Sequence, residues 1–251
     1  MKQNVQKKEI NDLFDYDYKI YQIKDYFKFS SDSVLLSEFV NLKKKDKEIL
    51  DLCTGNAPIP MILTSKYGDK IHITGIELQK DIYDLAIESI NYNNLTNIDI
   101  INDDINNATK LFKNKHFDVI TCNPPYFKYD DKRLSNDPVK AIARHEIKVK
   151  LEDIIRISSK LLNTGGYLYV VHRPERLSDM IIELNKYGFG LKRVVPVYND
   201  DQSRCVYVLY EAMFKGENYV KILNPVVLHH DDKTYKDIFK EWYYETYCWT
   251  R

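Results

Sequence analysis

From Glu48 onward, short apolar runs rich in β-branched residues alternate with stretches of helical spacing. That alternation is the pattern of βαβ units, which build a parallel sheet covered on both faces. The runs predict seven strands, at Ile49–Cys53, Ile71–Glu77, Ile98–Ile101, Phe117–Asn123, Gly166–His172, Lys192–Val197 and Cys205–Glu211. Helices are expected between them at Ile59–Lys66 after Pro58, at Ile82–Asn93 with Asp81 as its cap, at Leu151–Leu162, and at Pro174–Tyr187 with Pro174 in an early helical position. Ile154, Ile157, Leu161 and Leu162 give the third of these one apolar face. The polar connection Tyr198–Arg204 is too short for the crossover of about a dozen residues that parallel neighbours need, so the last two strands should pair antiparallel at the sheet edge. The expected fold is α/β: a seven-stranded, mostly parallel sheet with a terminal antiparallel pair and helices on both faces.

Two flanks frame this sheet. Residues 1–47 read as an N-terminal extension packed on the core, with strands in Tyr18–Phe29 and a helix near Asp32–Leu42 capped by Ser31 or Asp32. Residues 48–251 read as one globular unit, ending in an extended Val220–Leu228 and an aromatic helix from Tyr235 to Tyr247. No internal repeat interrupts the pattern. The chain of 251 residues is 44% hydrophobic and can bury a sizeable core, which argues against disorder. No run approaches the roughly 18 apolar residues of a membrane span, and Met1 to Ile20 lacks the apolar stretch of a secretory signal, so a cytoplasmic protein is expected. Cys53, Cys122, Cys205 and Cys248 are far apart and form no Cys-x-x-Cys pair, which suggests four reduced thiols and no metal site. With 37 Lys+Arg against 37 Asp+Glu, a nucleic-acid partner would have to be met by a local basic surface.

The candidate chemistry lies at strand ends. The first strand closes in Asp51-Leu52-Cys53-Thr54-Gly55-Asn56-Ala57-Pro58, a tight turn into a helix that lets backbone N–H groups approach a ligand. Such a turn also occurs for purely structural reasons. Gly75-Ile76-Glu77 puts a carboxylate where open α/β sheets bind a ribose diol. Asp104, after the third strand, reads either as an acceptor for an adenine amino group or as a solvated loop carboxylate. Most telling is Thr121-Cys122-Asn123-Pro124-Pro125-Tyr126-Phe127 directly after an apolar strand. Two prolines stiffen a turn in any protein. Downstream of the acidic turn and of Glu77, however, the segment brings its polar residues to the same carboxyl edge of the sheet as theirs.

Asp51–Pro58, Glu77, Asp104 and Asn123–Tyr126 resemble the successive motifs of class I, Rossmann-like S-adenosylmethionine-dependent amino methyltransferases. More narrowly, Phe29-Ser30-Ser31-Asp32-Ser33-Val34-Leu35-Leu36, Ala143-Arg144-His145-Glu146 and Lys233-Thr234-Tyr235 resemble the bacterial tRNA adenine-N6 methyltransferases that act on adenine 37 of valine tRNA. The resemblance spans almost the whole chain. It implies S-adenosylmethionine as cofactor, with Asp51, Cys53, Thr54, Gly55 and Asn56 at its methionine part, Glu77 and Leu78 at the ribose, and Asp104 and Ile105 at the adenine. Many members carry Gly where this chain has Cys53 and Ala57, so its turn is less permissive.

An adenine amine is a poor nucleophile because its lone pair is delocalised into the ring, and two acceptors that draw its hydrogens out of plane restore electron density. The Asn123 side-chain oxygen and the Pro124 carbonyl supply them in this reading, with Pro125 fixing the carbonyl's direction. Tyr126 stacks on the base, and Asn123 borders the cofactor as well. The work is positioning and electrostatics.

Between Lys128 and Lys150, seven basic residues face four acidic ones, either as a solvated loop or as a surface for the phosphates of an anticodon stem-loop. Phe127, Lys128, Arg133, Arg144, Arg173 and Arg204 are the candidate RNA contacts, and His145 is a weaker one, since a lone His is more often structural. A monomer is expected, there being no heptad stripe. Three other functions compete. A protein glutamine N5-methyltransferase resembles a sheet preceded by a separate helical domain, for which the leader here is short. A DNA adenine N6-methyltransferase needs a target-recognition region larger than residues 212–251. An inactive cofactor- or RNA-binding module would typically have lost the acceptors kept at Asn123–Tyr126.

Overall fold

A computed structural model of the protein describes residues 8–13, 16–23, 31–125, 149–200 and 202–229. The chain opens with a hairpin, β1 (Lys8–Asp12) against β2 (Lys19–Ile23), and continues into α1 (Ser31–Phe39). The βαβ region follows as β3 (Glu48–Leu52), α2 (Pro58–Tyr67), β4 (His72–Glu77), α3 (Lys80–Tyr92), β5 (Ile98–Asn102), a single-turn α4 (Ala108–Leu111) and β6 (Phe117–Cys122). After residue 149 come α5 (Leu151–Leu161), β7 (Leu162–His172), α6 (Leu177–Lys186), β8 (Phe189–Tyr198), β9 (Cys205–Phe214) and two short strands, β10 (Lys221–Ile222) and β11 (Val226–Val227).

The seven predicted strands lie in one sheet in the order β8-β9-β7-β6-β3-β4-β5, and β10 and β11 pair along β8. All pairs are parallel except those of β9, which runs antiparallel to both β7 and β8. The short 199–204 connection dictates this, because it can only turn the chain back on itself. In β3, Ile49, Leu50 and Leu52 are all buried, as a central strand with both faces covered requires. Its alternate residues serve two cores. Leu50 and Leu52 pack with Ile154, Ile157, Leu161, Met180 and Leu184 from α5 and α6, while Ile49 packs with Leu35, Leu36, Ile59 and Leu63 from α1 and α2.

Several boundaries differ from the sequence expectation. The helix expected from Asp81 starts at Lys80 with Gln79 as its cap, so Asp81 sits in the first turn. The reason is local: Glu77 Oε1 already accepts the N–H of Gln79 at 2.8 Å and draws the chain into the helix early. Ser31, expected as a cap, is already helical, and that helix stops at Phe39, short of Leu42. The α5 helix ends at Leu161 and β7 starts at Leu162, ahead of Gly166, with a register shift opposite Phe117 and Val119. In the flank, β2 falls within the expected Tyr18–Phe29, whereas β1 had no counterpart in the sequence reading. The helix expected at 235–247 lies outside the described residues.

From β3 the chain steps outward through β4 to β5, then crosses back to β6 on the other side of β3. The strand order reverses between β3 and β6, and open sheets of this kind bind ligands in the crevice outside the carboxyl ends at that point. The N-terminal elements are fastened to the helices that cover the sheet. Tyr21 N donates to Ser89 Oγ at 2.9 Å and Lys19 N to Asn93 Oδ1 at 2.9 Å, which fastens the hairpin to α3. Lys66 on α2 donates to the carbonyls of Ser37 and Glu38 at 3.0 and 3.2 Å and to the Glu38 carboxylate at 3.1 Å, which fixes the end of α1.

Candidate active site

The turn after β3 takes its shape from three residues in the left-handed region, Cys53 (φ 59°), Gly55 (φ 61°) and Ala57 (φ 69°). Only Gly adopts this conformation without a steric penalty, so Cys53 and Ala57 are held there by their surroundings. A large part of that support is Asp51. Its carboxyl is 0% exposed and accepts the hydroxyl protons of Thr54 and Thr121, each at 2.6 Å, tying the turn to β6. Burial raises the Asp51 pKa to about 7, and the nearby Glu77 charge pushes in the same direction. Asp51 was expected among the cofactor contacts. The structure places its side chain under the turn, where it acts through Thr54.

Gly75 makes room for this arrangement: a Cβ there would lie 2.7 Å from Ile100 Cδ1 and 2.8 Å from Thr54 Oγ1. Two positions on, Glu77 closes β4 with its carboxylate accepting the N–H of Gly55 at 3.0 Å and that of Gln79 at 2.8 Å. It is 6% exposed, and burial raises its pKa. A carboxylate oxygen accepts more than one hydrogen bond, so Glu77 can hold the turn and still take ribose hydroxyls. The set of left-handed turn, close backbone and carboxylate fits a nucleoside cofactor.

Asn56, expected among the cofactor contacts, also ties the turn to the rest of the fold. Its side chain is buried and Nδ2 donates to the Tyr21 carbonyl at 2.9 Å, so it links the turn to the N-terminal hairpin. Asp104, after β5, caps the Ile105–Asn107 turn by accepting from Asn106 N at 2.9 Å, Leu78 is half-buried beside Glu77, and Ile105 packs into the core.

Asn123 follows β6 directly, on the strand adjacent to β3, with Leu52 opposite Cys122 in the register. The Cys53 turn and the Asn123-Pro124-Pro125 turn therefore lie side by side at the switch point, where open sheets of this kind form their ligand crevice. The Asn123 side chain is half-buried, and its Nδ2 donates to Ser33 Oγ on α1 at 2.9 Å. Pro124 is buried and Pro125 half-buried. Tyr126, Phe127, Lys128, Arg133, Arg144 and His145 lie outside the described residues.

Two further expected contacts reach the same edge. Arg173 follows β7, with its guanidinium 5.3 Å from the centroid of the Tyr207 ring and Nη1 on the Val206 carbonyl at 3.4 Å, and exposed Arg204 precedes β9. Beside them His172 accepts the N–H of Arg173 on Nδ1 at 2.8 Å, so the imidazole carries its proton on Nε2. Burial and the adjacent Arg176 and Arg173 charges hold its pKa at about 4, and the ring is neutral at physiological pH. Sequence reading missed Ser33, Thr54 and Thr121 as supports and Tyr207 as a partner of Arg173. Only Thr54, three positions after Asp51, offered a local signal. The three described cysteines are free thiols, no group of three His, Cys, Asp or Glu able to hold a metal occurs among the described residues, and no helix there is long and apolar enough to cross a membrane.

A Rossmann-like sheet with a left-handed turn after its first strand, a buried carboxylate after its second and an amide-bearing turn after its fourth belongs to the class of open α/β folds that take a ligand at the carboxyl edge of the sheet. The chain belongs to the methyltransferase domain family, whose model matches residues 43–224, and it is a methyltransferase. It is 28% identical over 167 residues to the tRNA1(Val) (adenine(37)-N6)-methyltransferase of Tolumonas auensis, covering 66% of this chain and 68% of that protein. It is 23% identical over 226 residues to the protein of that name from Proteus mirabilis, covering 88% of each. Among solved structures, an Agrobacterium tumefaciens protein described as a predicted O-methyltransferase superposes with a TM-score of 0.65 at 19% identity, covering 83% of this chain and 93% of that one.

Proposed function

We propose that the protein transfers the methyl group of S-adenosylmethionine to N6 of an unpaired adenine in tRNA, namely adenine 37 beside the anticodon of valine tRNA. The observation that carries the reading is the Asn123 turn, set across one crevice from the Cys53–Ala57 turn with its amide nitrogen on Ser33. The relatives named above supply the tRNA and the nucleotide.

The cofactor, bound on the β3 turn and Glu77, supplies an electrophilic methyl carbon. Gly55 and its neighbours present backbone to the methionine part, Glu77 accepts from the ribose hydroxyls, and Asp104 faces the adenine side. With Nδ2 engaged by Ser33, the other branch of the Asn123 amide is Oδ1, the acceptor for one amine hydrogen of the target base. The Pro124 carbonyl takes the other. Both acceptors bias the amine nitrogen toward a pyramidal geometry and aim its lone pair, a contribution of orientation and preorganised electrostatics. Tyr126 stacks on the base, and Phe127, Arg173, Arg204 and the basic residues Lys128, Arg133 and Arg144, with His145, contact the anticodon stem-loop. An unpaired base is splayed out at little unstacking cost. The protein acts as a monomer in the cytoplasm, where its substrate is.

The test is incubation with labelled S-adenosylmethionine and tRNA from a strain lacking the modification, followed by nucleoside mass spectrometry. N6-methyladenosine at position 37 is the expected product. Label in a release factor transfers the assignment to glutamine methylation, label in DNA to a DNA adenine enzyme, and cofactor binding without transfer to a binding module. Asn123→Ala should abolish turnover while leaving cofactor affinity near that of wild type; a large affinity loss by calorimetry would contradict the role given to Asn123.

A further inference from the structure

We propose that Ser33 is a positioning residue for methyl transfer: its hydroxyl, on an N-terminal helix outside the methyltransferase sheet, holds the Asn123 carboxamide with its oxygen toward the target amine. The inference rests on Asn123 being the amine acceptor and extends that reading to a residue on a different element.

An asparagine carboxamide on a strand-ending turn rotates about two side-chain torsions, and the terminal one is broad. A turn alone therefore does not fix which end of the amide faces the crevice. Ser33 Oγ supplies a constraint on that end by accepting from Asn123 Nδ2 at 2.9 Å. A serine hydroxyl has two acceptor lone pairs, so it can take this hydrogen without giving up its own donor.

Ser33 is itself held. It is 5% exposed, its N–H donates to Asp32 Oδ1 at 2.8 Å, and its carbonyl accepts from Ser37 Oγ at 2.8 Å. Val34, Leu35 and Leu36 beside it are fully buried, and Lys66 grips the carbonyls of Ser37 and Glu38 at the far end of the helix. The hydroxyl is thus a fixed point on a rigid helix, which is what alignment of a reacting group requires. The arrangement also gives the N-terminal flank a defined part in the chemistry: α1 orients the amine acceptor, while the β1–β2 hairpin, through Tyr21 and Asn56, steadies the cofactor turn.

The test compares Ser33→Ala, Ser33→Thr, Asn123→Ala and the Ser33→Ala/Asn123→Ala double variant in single-turnover methylation of the tRNA, with S-adenosylmethionine affinity by calorimetry and thermal stability measured alongside. Ser33→Ala should slow the transfer step by about 10–100-fold, the loss expected when a reacting group is misaligned. Cofactor affinity and melting temperature should stay at wild-type values, and Ser33→Thr, which keeps the hydroxyl, should recover most of the rate. The double variant should be as inactive as Asn123→Ala, with the cofactor affinity and melting temperature of that single variant, since there is no amide left to orient. A Ser33→Ala rate within twofold of wild type, beside an inactive Asn123→Ala, overturns the Ser33 role and leaves the Asn123 reading intact. Full activity in both overturns the two together. A rate loss that follows a drop in melting temperature, or that Ser33→Thr fails to recover while folding normally, assigns Ser33 a structural part only and also overturns the proposal.

Discussion

Replacing Asp51 with asparagine should remove a pH-dependent part of the folding free energy. In the native protein the Asp51 carboxyl is fully buried, and burial lifts its pKa from 3.8 to about 7 against the opposing hydrogen bonds from Thr121 and Thr54. Between those two values the folded chain retains a proton that the unfolded chain releases, so the group favours folding most below its unfolded pKa and loses that contribution as pH rises toward 7. At 1.36 kcal/mol per pKa unit, the interval amounts to about 4 kcal/mol. Asparagine has nearly the same shape and keeps one acceptor, while the Thr54 and Thr121 hydroxyls can reverse to accept from its amide. The assay is urea unfolding of both proteins from about pH 4 to 8, analysed as wild type minus variant at each pH. Subtraction removes shared contributions such as that of His172, whose depressed pKa acts in the opposite sense and costs stability as pH falls toward 4. The wild-type advantage should shrink by about 4 kcal/mol between pH 4 and 7.5. A difference that stays flat would refute the reasoning, because it would mean that Asp51 ionises as it does in water.

Two further outcomes follow from the same strand ends. Glu77→Ala removes a carboxylate that accepts from Gly55 and Gln79, and at about 1.5–3 kcal/mol for a charged hydrogen bond it should weaken S-adenosylmethionine binding by about 10–100-fold with little change in the transfer rate at saturation, a split that calorimetry and single-turnover kinetics would resolve. Gly75→Ala places a methyl group 2.8 Å from Thr54 Oγ1, so it should cost about 1–3 kcal/mol in thermal unfolding and raise the cofactor dissociation constant as Thr54 is displaced.

The seven sheet strands were readable because each is a compact apolar run bounded by polar turns, and the antiparallel pair followed from one short connection. The flank was harder. Lys8–Asp12 contains a single apolar residue, Ile10, and becomes a strand only by pairing with β2. Glu77, Gly55 and Asn123 were visible as motif residues at strand ends. Their supports were not, because these act across the fold: Thr121 meets Asp51 from another strand, and Ser33 meets Asn123 across 90 positions of chain. The tie from Asn56 to the hairpin was hidden for the same reason, since nothing beside it in sequence announces Tyr21 as its partner. Periodicity reports which face of an element is buried, but not which polar atom on a distant element it will meet.

The insertion of β9 between β7 and β8 bears on how the chain acquires its structure during synthesis. Every strand that pairs with β8, namely β9, β10 and β11, lies C-terminal to it. While residues 189–198 leave the ribosome they have no neighbour to join, and an apolar segment in that position is exposed to wrong pairings until the next strand emerges. A chain halted before Cys205 would therefore carry an orphaned ribbon beside an otherwise assembled β7-β6-β3-β4-β5 half-sheet, which makes the β8–β9 turn the step that joins β8 to that half-sheet, ahead of β10 and β11.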